Sequence, residues 1–286
     1  MKRTRILWIA AAAAAVILSG CAGKKAPEET ETAVSAEETK ESAAPEETPE
    51  ETEDALSKLN EAPEDAGEQI AVIADAVETW AVDDESGTYG VGYAVTDLDR
   101  NGRLEVISYV TGGTGMYTTS EIWEVNEKKD GVDHVSWEKE EGDSEPDAIG
   151  SIRQTAYVDE KSGTIYYICP DYMRNGVAEN YEILYALSLS DGAVELQDLA
   201  GRHETLDASG NSTLEYWDAE GSSISEEEYE KTADTVFGRM TKTEFSIIWL
   251  DSENLGTTEG IQSLDKEVLL KKLGASFDGF GFEAVK

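Results

Sequence analysis

The sequence predicts a mainly β protein, an antiparallel β-meander with a few peripheral helices. From Tyr89 onwards, short runs of aromatic and β-branched residues are bounded by Gly, Asp, Asn and Ser, which is typical of strands joined by tight turns. Three of these turns contain glycine, at Gly163, Gly192 and Gly221, where it permits a positive φ angle. The pattern leaves open whether the meander forms a barrel, a sandwich or propeller-like blades.

Helical patterns flank the predicted strands. Apolar residues repeat at helical spacing over residues 68–81 and again over 264–273, which predicts two amphipathic helices. A Ser-x-x-Glu capping box at Ser225 begins a third predicted helix, which ends near Thr235. The predicted strands span residues 91–96, 104–110, 120–126, 134–138, 152–158, 164–169, 181–188, 193–199, 213–217 and 240–250.

Residues 1–20 have the layout of a secretory signal peptide. Basic residues precede the apolar run Ile6–Leu18, which is shorter than the roughly 20 residues that a permanent membrane-spanning helix needs. The run ends in Leu18-Ser-Gly-Cys21, which resembles the bacterial lipobox. The resemblance implies cleavage before Cys21 and attachment of a diacylglyceryl group to its thiol. It therefore implies a lipid-anchored protein on the extracytoplasmic side of the cell membrane.

The segment that follows differs in composition. Residues 21–66 begin with the lipidated cysteine and are rich in Glu, Ala, Thr and Ser, with four prolines. Such a segment has too few apolar residues to offset its chain entropy, so it is predicted to be a disordered acidic linker. Like charges extend it, which suits a spacer between the anchor and a folded domain. Residues 67–286 are predicted to form that domain, since they are numerous enough for a core of their own.

The net charge of -38 limits the partners of this chain. Nucleic acid is also strongly negative, so the sequence argues against it as a partner. The lipid would provide contact with the membrane. The sequence does not identify the envelope protein or glycan that the domain contacts.

An acidic loop separates the predicted strands that end at Thr96 and begin at Leu104. Calcium takes roughly six to eight oxygen ligands, and side-chain oxygens at positions one, three and five of a tight loop can converge on one point. Gly102 permits the sharp bend that this requires. The spacing predicts a calcium site whose ligands are the side chains of Asp97, Asp99, Asn101 and Glu105 and the backbone carbonyl of Arg103.

The loop differs from an EF-hand in two respects. Ser108 occupies position twelve, where an EF-hand has a bidentate Glu, and the flanking elements are predicted strands. The loop more closely resembles the calcium-binding hairpin loops of extracellular β-proteins. The alternative is an ordinary hairpin turn whose acidic side chains are solvated and cap backbone N–H groups.

A longer stretch around this loop carries a second resemblance. Residues 93–106, the glycine-rich 111–115 and the strand-like 120–125 resemble a segment of uncharacterised lipoproteins of Gram-positive gut bacteria. Residues 217–229 resemble a later turn of the same group, which leads into a Ser-capped helix. The resemblance covers most of the domain, and the acidic loop is its most specific part. It implies an extracytoplasmic location and a similar architecture, but no activity.

Two kinds of function remain open from the sequence. A non-enzymatic binding or accessory module is favoured, because the sequence has no catalytic-triad spacing, zinc motif or nucleophile elbow. The alternative is an envelope hydrolase that acts on glycan or peptide. A nucleophilic thiol at Cys169 would need a neighbouring base. Cys169 instead lies in an apolar run, which predicts a buried, small hydrophobic side chain.

Overall fold

A computed structural model of the protein describes residues 56–82, 90–112, 117–137, 154–176, 178–190, 192–257 and 260–285. The signal peptide, Cys21 and most of the predicted linker lie outside these ranges. So do residues 113–116 of the glycine-rich stretch, residue 138 at the end of one predicted strand and residues 152–153 at the start of another. The described part is mainly β, as the sequence predicts. Its strand pairs are antiparallel, except for one short parallel pair.

The strands are numbered in chain order. They are β1 (Gly90–Thr96), β2 (Glu105–Gly112), β3 (Tyr117–Val125), β4 (Val132–His134), β5 (Ser136–Trp137), β6 (Thr155–Val158), β7 (Ile165–Asn175), β8 (Glu179–Ser190), β9 (Ala193–Leu206), β10 (Ser212–Asp218), β11 (Thr241–Ser246), β12 (Leu250–Asp251) and β13 (Gly281–Ala284). Residues 56–59 are helical. The helices that follow are α1 (Ala66–Asp75), α2 (Val77–Trp80), α3 (Glu226–Glu230), α4 (Thr232–Phe237), α5 (Ser252–Leu255) and α6 (Lys266–Asp278), with a 3₁₀ turn at Ile261–Ser263.

These strands form two sheets. The first has the strand order β12-β1-β2-β3-β4, and the second has the order β10-β9-β8-β7-β6-β11-β13, with β5 pairing to β9. Sequential hairpins build most of both sheets, which is the predicted meander. The turns before β7, β9 and after β10 contain Gly163, Gly192 and Gly221, each with φ between 72° and 82°, so glycine relieves the strain of a left-handed backbone there.

The strands form a β-sandwich with helices on both of its outer faces, and three clusters of buried apolar residues hold these layers together. Ile107 and Ile122 of the first sheet share a buried cluster with Tyr167 and Leu187 of the second, so the two sheets pack against each other. On its other face, the first sheet buries residues such as Tyr93 against α1 and α6. The second sheet buries its other face against α3 and α4, through Tyr229 and Phe237. Burial of alternate strand residues on opposite faces follows from the pleat.

The capping box at Ser225 is confirmed. The Ser225 side chain accepts from the backbone of Glu228, and the Glu228 carboxylate accepts from the backbone of Ser225. The predicted helix is interrupted at Lys231, which separates α3 from α4. The predicted strand over residues 240–250 is likewise divided between β11 and β12.

The packed domain begins earlier than the boundary at residue 67 that the sequence predicts. Leu56 is 7% exposed and belongs to the cluster between the sheets, and Leu59 packs against that cluster. The side chain of Asn60 bonds to the backbone of Phe282 in β13. Residues 56–66, assigned to the linker from composition, therefore include part of the folded domain. Within the described ranges, no helix has the length and apolarity needed to cross a membrane.

Candidate metal centre

The acidic loop joins β1 to β2. Thr96 and Glu105 are the last residues that pair between these strands, so residues 97–104 form the connection. The chain reverses through two residues with positive φ, Arg100 at 56° and Gly102 at 82°. Glycine adopts such angles without strain, whereas an arginine does so at some cost.

The loop brings three carboxylates together. One oxygen from each of Asp97, Asp99 and Glu105 lies within 4.8 Å of the others. Asp97 is 2% exposed and Glu105 is fully buried, while Asp99 is half-buried. Buried carboxylates normally have compensating partners, because an unpaired charge in a protein interior costs considerable free energy. These three can hold a metal ion.

Glu105 has one satisfied and one unsatisfied oxygen. Its Oε2 accepts hydrogen bonds from Thr96 Oγ1 at 2.9 Å and from the Leu98 backbone N–H at 2.8 Å. Its Oε1 is buried and has no hydrogen-bond partner among the residues that the structure describes. The carboxylate is thus fixed by one oxygen and leaves the other available as a ligand.

The other two acids bond within the loop. Asp97 Oδ1 accepts from the Gly102 backbone at 3.4 Å, and Asp99 Oδ1 accepts from the Asn101 backbone at 3.1 Å. Each acid therefore caps a backbone N–H group, as the alternative interpretation of the loop also expects. Each carboxylate still has further lone pairs that can ligate a cation.

The remaining predicted ligands take different positions. Asn101 Oδ1 accepts from the Arg103 backbone at 2.7 Å, and its Nδ2 donates to Asp99 Oδ2 at 3.0 Å. The amide nitrogen of Asn101, and not its oxygen, therefore faces Asp99. The Arg103 side chain points to Glu124, with 2.7 Å between guanidinium and carboxylate. The Arg103 carbonyl as a ligand stays a prediction.

Two residues that position the loop were missed by the sequence reading. Gln69 of α1 is fully buried; its Nε2 donates to the Gly102 carbonyl at 2.8 Å, and its Oε1 accepts from the Leu104 backbone at 2.9 Å. Glu124 is the cross-strand partner of Glu105 and accepts from Asn101 Nδ2 at 2.7 Å. Neither residue belongs to a local motif, so only the register and the helix packing reveal them.

Arg100 directs its guanidinium into the protein. The guanidinium carbon lies 4.5 Å from the ring centroid of Phe280 and 5.0 Å from that of Phe282, in cation–π geometry. Its Nε and one terminal nitrogen are buried without a hydrogen-bond partner in the described part of the chain. Burial lowers the pKa of Arg100, against smaller opposing effects of Tyr167, Asp97 and Glu105.

Burial disfavours the ionised form of the three carboxyl groups and so raises their pKa values. It raises the pKa of Asp97 to about 6, against the opposing effect of Arg100. Burial also raises the pKa of Asp99, and it raises the pKa of Glu105 well above its usual range, with further contributions from Asp97 and Asp99. The cluster therefore favours a bound positive charge, which either protons or a metal ion can supply.

The loop borders an open cleft of about 290 Å³. Its lining is mostly polar, and Asp99 belongs to both the cleft and the carboxylate cluster. Solvent therefore reaches the cluster from this side. The lining residues are Asp99, Asn101, Arg103, Ser162, Gly163, Thr164, Leu189 and Ser190.

A thiol-dependent hydrolase needs an accessible thiolate beside a base such as histidine, and the cysteine and histidines of the described chain have other surroundings. Cys169 is fully buried in β7 and burial raises the pKa of its thiol, so its thiolate is disfavoured. Its predicted role as a small buried hydrophobic side chain is confirmed. His134 pairs with Glu121 at the surface, and His203 stacks on Tyr181 with 4.1 Å between ring centroids.

In comparisons with known proteins, no protein-family model, curated protein or solved structure matches the chain.

Proposed function

We propose that this chain is a lipid-anchored extracytoplasmic module without enzymatic activity, whose domain is stabilised by one calcium ion in the β1–β2 loop. The observation that carries the metal site is Glu105. Its Oε1 is buried without a hydrogen-bond partner among the described residues, and the Glu105 carboxylate lies beside those of Asp97 and Asp99. A cation there would satisfy an oxygen that is otherwise costly to bury.

The donor set favours calcium over other metals. All three grouped side chains offer oxygen, which hard cations prefer, whereas zinc and copper sites favour nitrogen and sulfur. Three carboxylates supply only part of the roughly six to eight ligands that calcium takes. The Arg103 carbonyl and water from the adjoining cleft would complete the shell. Water ligands and the missing position-twelve Glu suit a weak site, with a Kd of roughly 0.1–1 mM.

The proposed location rests on the N-terminal sequence. Basic residues, a short apolar run and a lipobox ending at Cys21 follow one another at the spacing of an exported lipoprotein precursor. The acidic segment that follows Cys21 would act as a spacer between the lipid anchor and the folded domain. Extracellular calcium is also abundant enough to occupy a weak structural site.

Thermal unfolding tests the calcium site. With a Kd of roughly 0.5 mM, about 5 mM calcium adds about 1.4 kcal/mol to the free energy of unfolding, from RT ln(1 + [L]/Kd). We expect the melting temperature to rise by about 3–6 °C. Magnesium at the same concentration should raise it less, because it requires a tighter octahedral shell and retains its waters.

Matched variants separate the loop from general surface charge. Asp99→Asn combined with Glu105→Gln removes two loop charges and should abolish the calcium shift. Glu215→Gln combined with Glu220→Gln removes two charges at exposed positions and should retain it. If both double variants respond to calcium as the wild type does, the loop is an ordinary turn and the calcium proposal is wrong.

The anchor is tested separately. Cys21→Ser should abolish incorporation of radiolabelled fatty acid, because serine cannot form the thioether. The wild-type protein should take up the label and partition with membranes. Label in the Ser variant would show that the lipid is attached elsewhere and that the lipobox assignment is wrong.

A further inference from the structure

We propose that Asn101 is a self-modification site, at which the folded loop promotes loss of ammonia from the side-chain amide and the resulting aspartate supplies a fourth carboxylate to the loop. The role of that aspartate as a ligand rests on the proposed calcium site, which it deepens. The amide nitrogen of Asn101 now faces Asp99 and Glu124. An amide nitrogen is a hydrogen-bond donor and cannot ligate a cation, so the loop has the wrong atom at a predicted ligand position.

The reaction joins the side chain of Asn101 to the residue that follows it. The backbone nitrogen of Gly102 attacks Cγ of Asn101, the bond from Cγ to Nδ2 breaks, and ammonia leaves from a succinimide ring. Water then opens the ring at either carbonyl carbon, which gives aspartate or isoaspartate. One water is consumed and one ammonia is released, without oxidation or reduction. Glycine favours the ring closure, because it has no Cβ to obstruct the attacking nitrogen.

Hydrogen bonds in the loop contact the two atoms on which charge changes during the attack. The Gly102 backbone N–H donates to Asp97 Oδ1 at 3.4 Å, so a carboxylate is placed to accept the proton of the attacking nitrogen. Asn101 Oδ1 gains negative charge as Cγ becomes tetrahedral. It accepts from the Arg103 backbone N–H at 2.7 Å, which stabilises that charge as an oxyanion hole does.

The leaving nitrogen also has partners that favour its departure. Asn101 Nδ2 donates to Asp99 Oδ2 at 3.0 Å and to Glu124 Oε1 at 2.7 Å, and these acceptors stabilise positive charge on the nitrogen as it takes up a proton. Asn101 is exposed and lines the open cleft, so water reaches the ring and ammonia can diffuse away. In the aspartate product, a carboxylate oxygen replaces Nδ2 beside Asp99, and oxygen is the atom that calcium prefers.

The chain contains an internal reference for this reaction. Asn175-Gly176 at the end of β7 is its other Asn-Gly sequence. Gly176 also has a positive φ, 70° against 82° for Gly102. The local sequence and the glycine backbone are therefore similar at the two asparagines. A gain in rate at Asn101 that Asn175 does not share reflects the surroundings of the loop.

Mass spectrometry of protein aged in chelator measures the reaction, with fragmentation to assign the residue and to separate aspartate from isoaspartate. A positioned proton acceptor contributes roughly 10²- to 10⁴-fold in favourable geometry, and we expect Asn101 to react about tenfold or more faster in the folded protein than in urea. Asn175 should not share this gain. Asp97→Asn keeps an acceptor oxygen but cannot take the proton, so it should slow Asn101 about tenfold and leave Asn175 unchanged. The urea comparison uses the wild-type chain alone and holds even if this variant folds poorly.

Titration calorimetry measures the consequence for the metal. Asn101→Asp makes the aspartate product directly and should bind calcium about tenfold more tightly than freshly purified wild type, because the affinity of such sites rises with the number of charged ligands. Asn211→Asp is the matched control. The Asn211 amide likewise donates to an aspartate of its own turn, Asp207 at 2.8 Å, and the same charge change there should leave the Kd unchanged.

The outcomes separate the modification from the calcium site. If Asn101 reacts no faster in the folded protein than in urea, its hydrogen bonds protect the amide and the modification is wrong, whatever calcium does. If the wild type binds calcium but Asn101→Asp binds it no more tightly, the aspartate is not a ligand and that role is wrong. Absence of calcium binding in both proteins overturns the calcium proposal and the ligand role together, while the two rates still decide the modification.

Discussion

Asn60 and Phe282 are joined by two hydrogen bonds although they lie 222 residues apart in sequence. The Asn60 amide donates to the Phe282 carbonyl at 2.8 Å and accepts from the Phe282 backbone N–H at 2.8 Å. Phe282 pairs on its other side with Phe245 of β11. The Asn60 side chain therefore satisfies the outer edge of β13 as a neighbouring strand would, and it attaches the start of the domain to its end.

Removal of this contact should destabilise the domain. Asn60→Ala leaves a backbone donor and acceptor of Phe282 without their protein partner, and we expect it to lower the free energy of unfolding by about 1–2 kcal/mol. Glu61→Ala, at an exposed neighbouring position, should change it by less than about 0.5 kcal/mol. Urea unfolding measures both. Equal stability of the two variants would contradict the role of Asn60.

The same contact changes the expected proteolytic boundary. The composition of residues 22–55 predicts cleavage there, since loosely structured polar segments are preferred sites of nicking. Burial of Leu56 and the bonds of Asn60 should protect the chain from about residue 56 onwards. Mass spectrometry of the resistant fragment gives its first residue. A fragment that begins near Gly67 would show that residues 56–66 are not stably packed.

A close approach of one aromatic ring to a strand gives a further prediction. The ring of Trp217 in β10 covers Gly201 in β9, and a Cβ at residue 201 would lie 2.3 Å from it. Gly201→Ala should therefore displace the indole and lower the free energy of unfolding by about 1–3 kcal/mol. Gly274→Ala is the matched control, because that position in α6 has open space around it. It should instead stabilise the domain by about 0.5–1 kcal/mol. In thermal unfolding, the melting temperature should fall for Gly201→Ala and rise for Gly274→Ala. Shifts of the same sign in both variants would contradict the close approach of Trp217 to Gly201.

The sequence predicted local features better than long-range ones. The cap at Ser225 and the turn at Gly163 depend on neighbouring residues, so short motifs identified them. The grouping of Asp97, Asp99 and Glu105 follows from the spacing of one hairpin. Strand β13 was missed because residues 281–284 are too few for a recognisable alternation of apolar and polar residues. Strand β9 was predicted to end at residue 199, because its continuation to Leu206 is mostly polar.

The positioning of the loop could not be predicted for a related reason. Gln69 lies on a helix next to the apolar residue Ile70, and nothing in the sequence indicates that its amide bonds to Gly102 and Leu104. The inward direction of Arg100 depends on Phe280 and Phe282, which are distant in sequence. Such contacts arise from tertiary packing, which periodicity and motif spacing do not encode.

The pH dependence of the metal-free protein is the last prediction. Burial raises the pKa of Asp97 to about 6, so the folded state binds its proton more tightly than the unfolded state, where the pKa is near 3.8. The free energy of unfolding in chelator should therefore rise as the pH falls from above about 6 towards about 4. Glu105 acts in the same direction, since its pKa is also raised. The charged and titratable groups that face these acids include Asp99, Arg100, Glu124 and Tyr167.

A variant separates this effect from the self-repulsion of a strongly acidic chain. Asp97→Asn cannot bind the proton, so its stability should rise less on acidification than that of the wild type, whereas the general repulsion among carboxylates is nearly the same in both. In the wild type, the stabilisation by calcium should shrink over the same pH range, because protons and calcium compete for the same oxygens. Denaturant unfolding at several pH values, with chelator and with calcium, measures both effects. Parallel pH profiles for wild type and variant in chelator would show that Asp97 titrates normally in the folded protein.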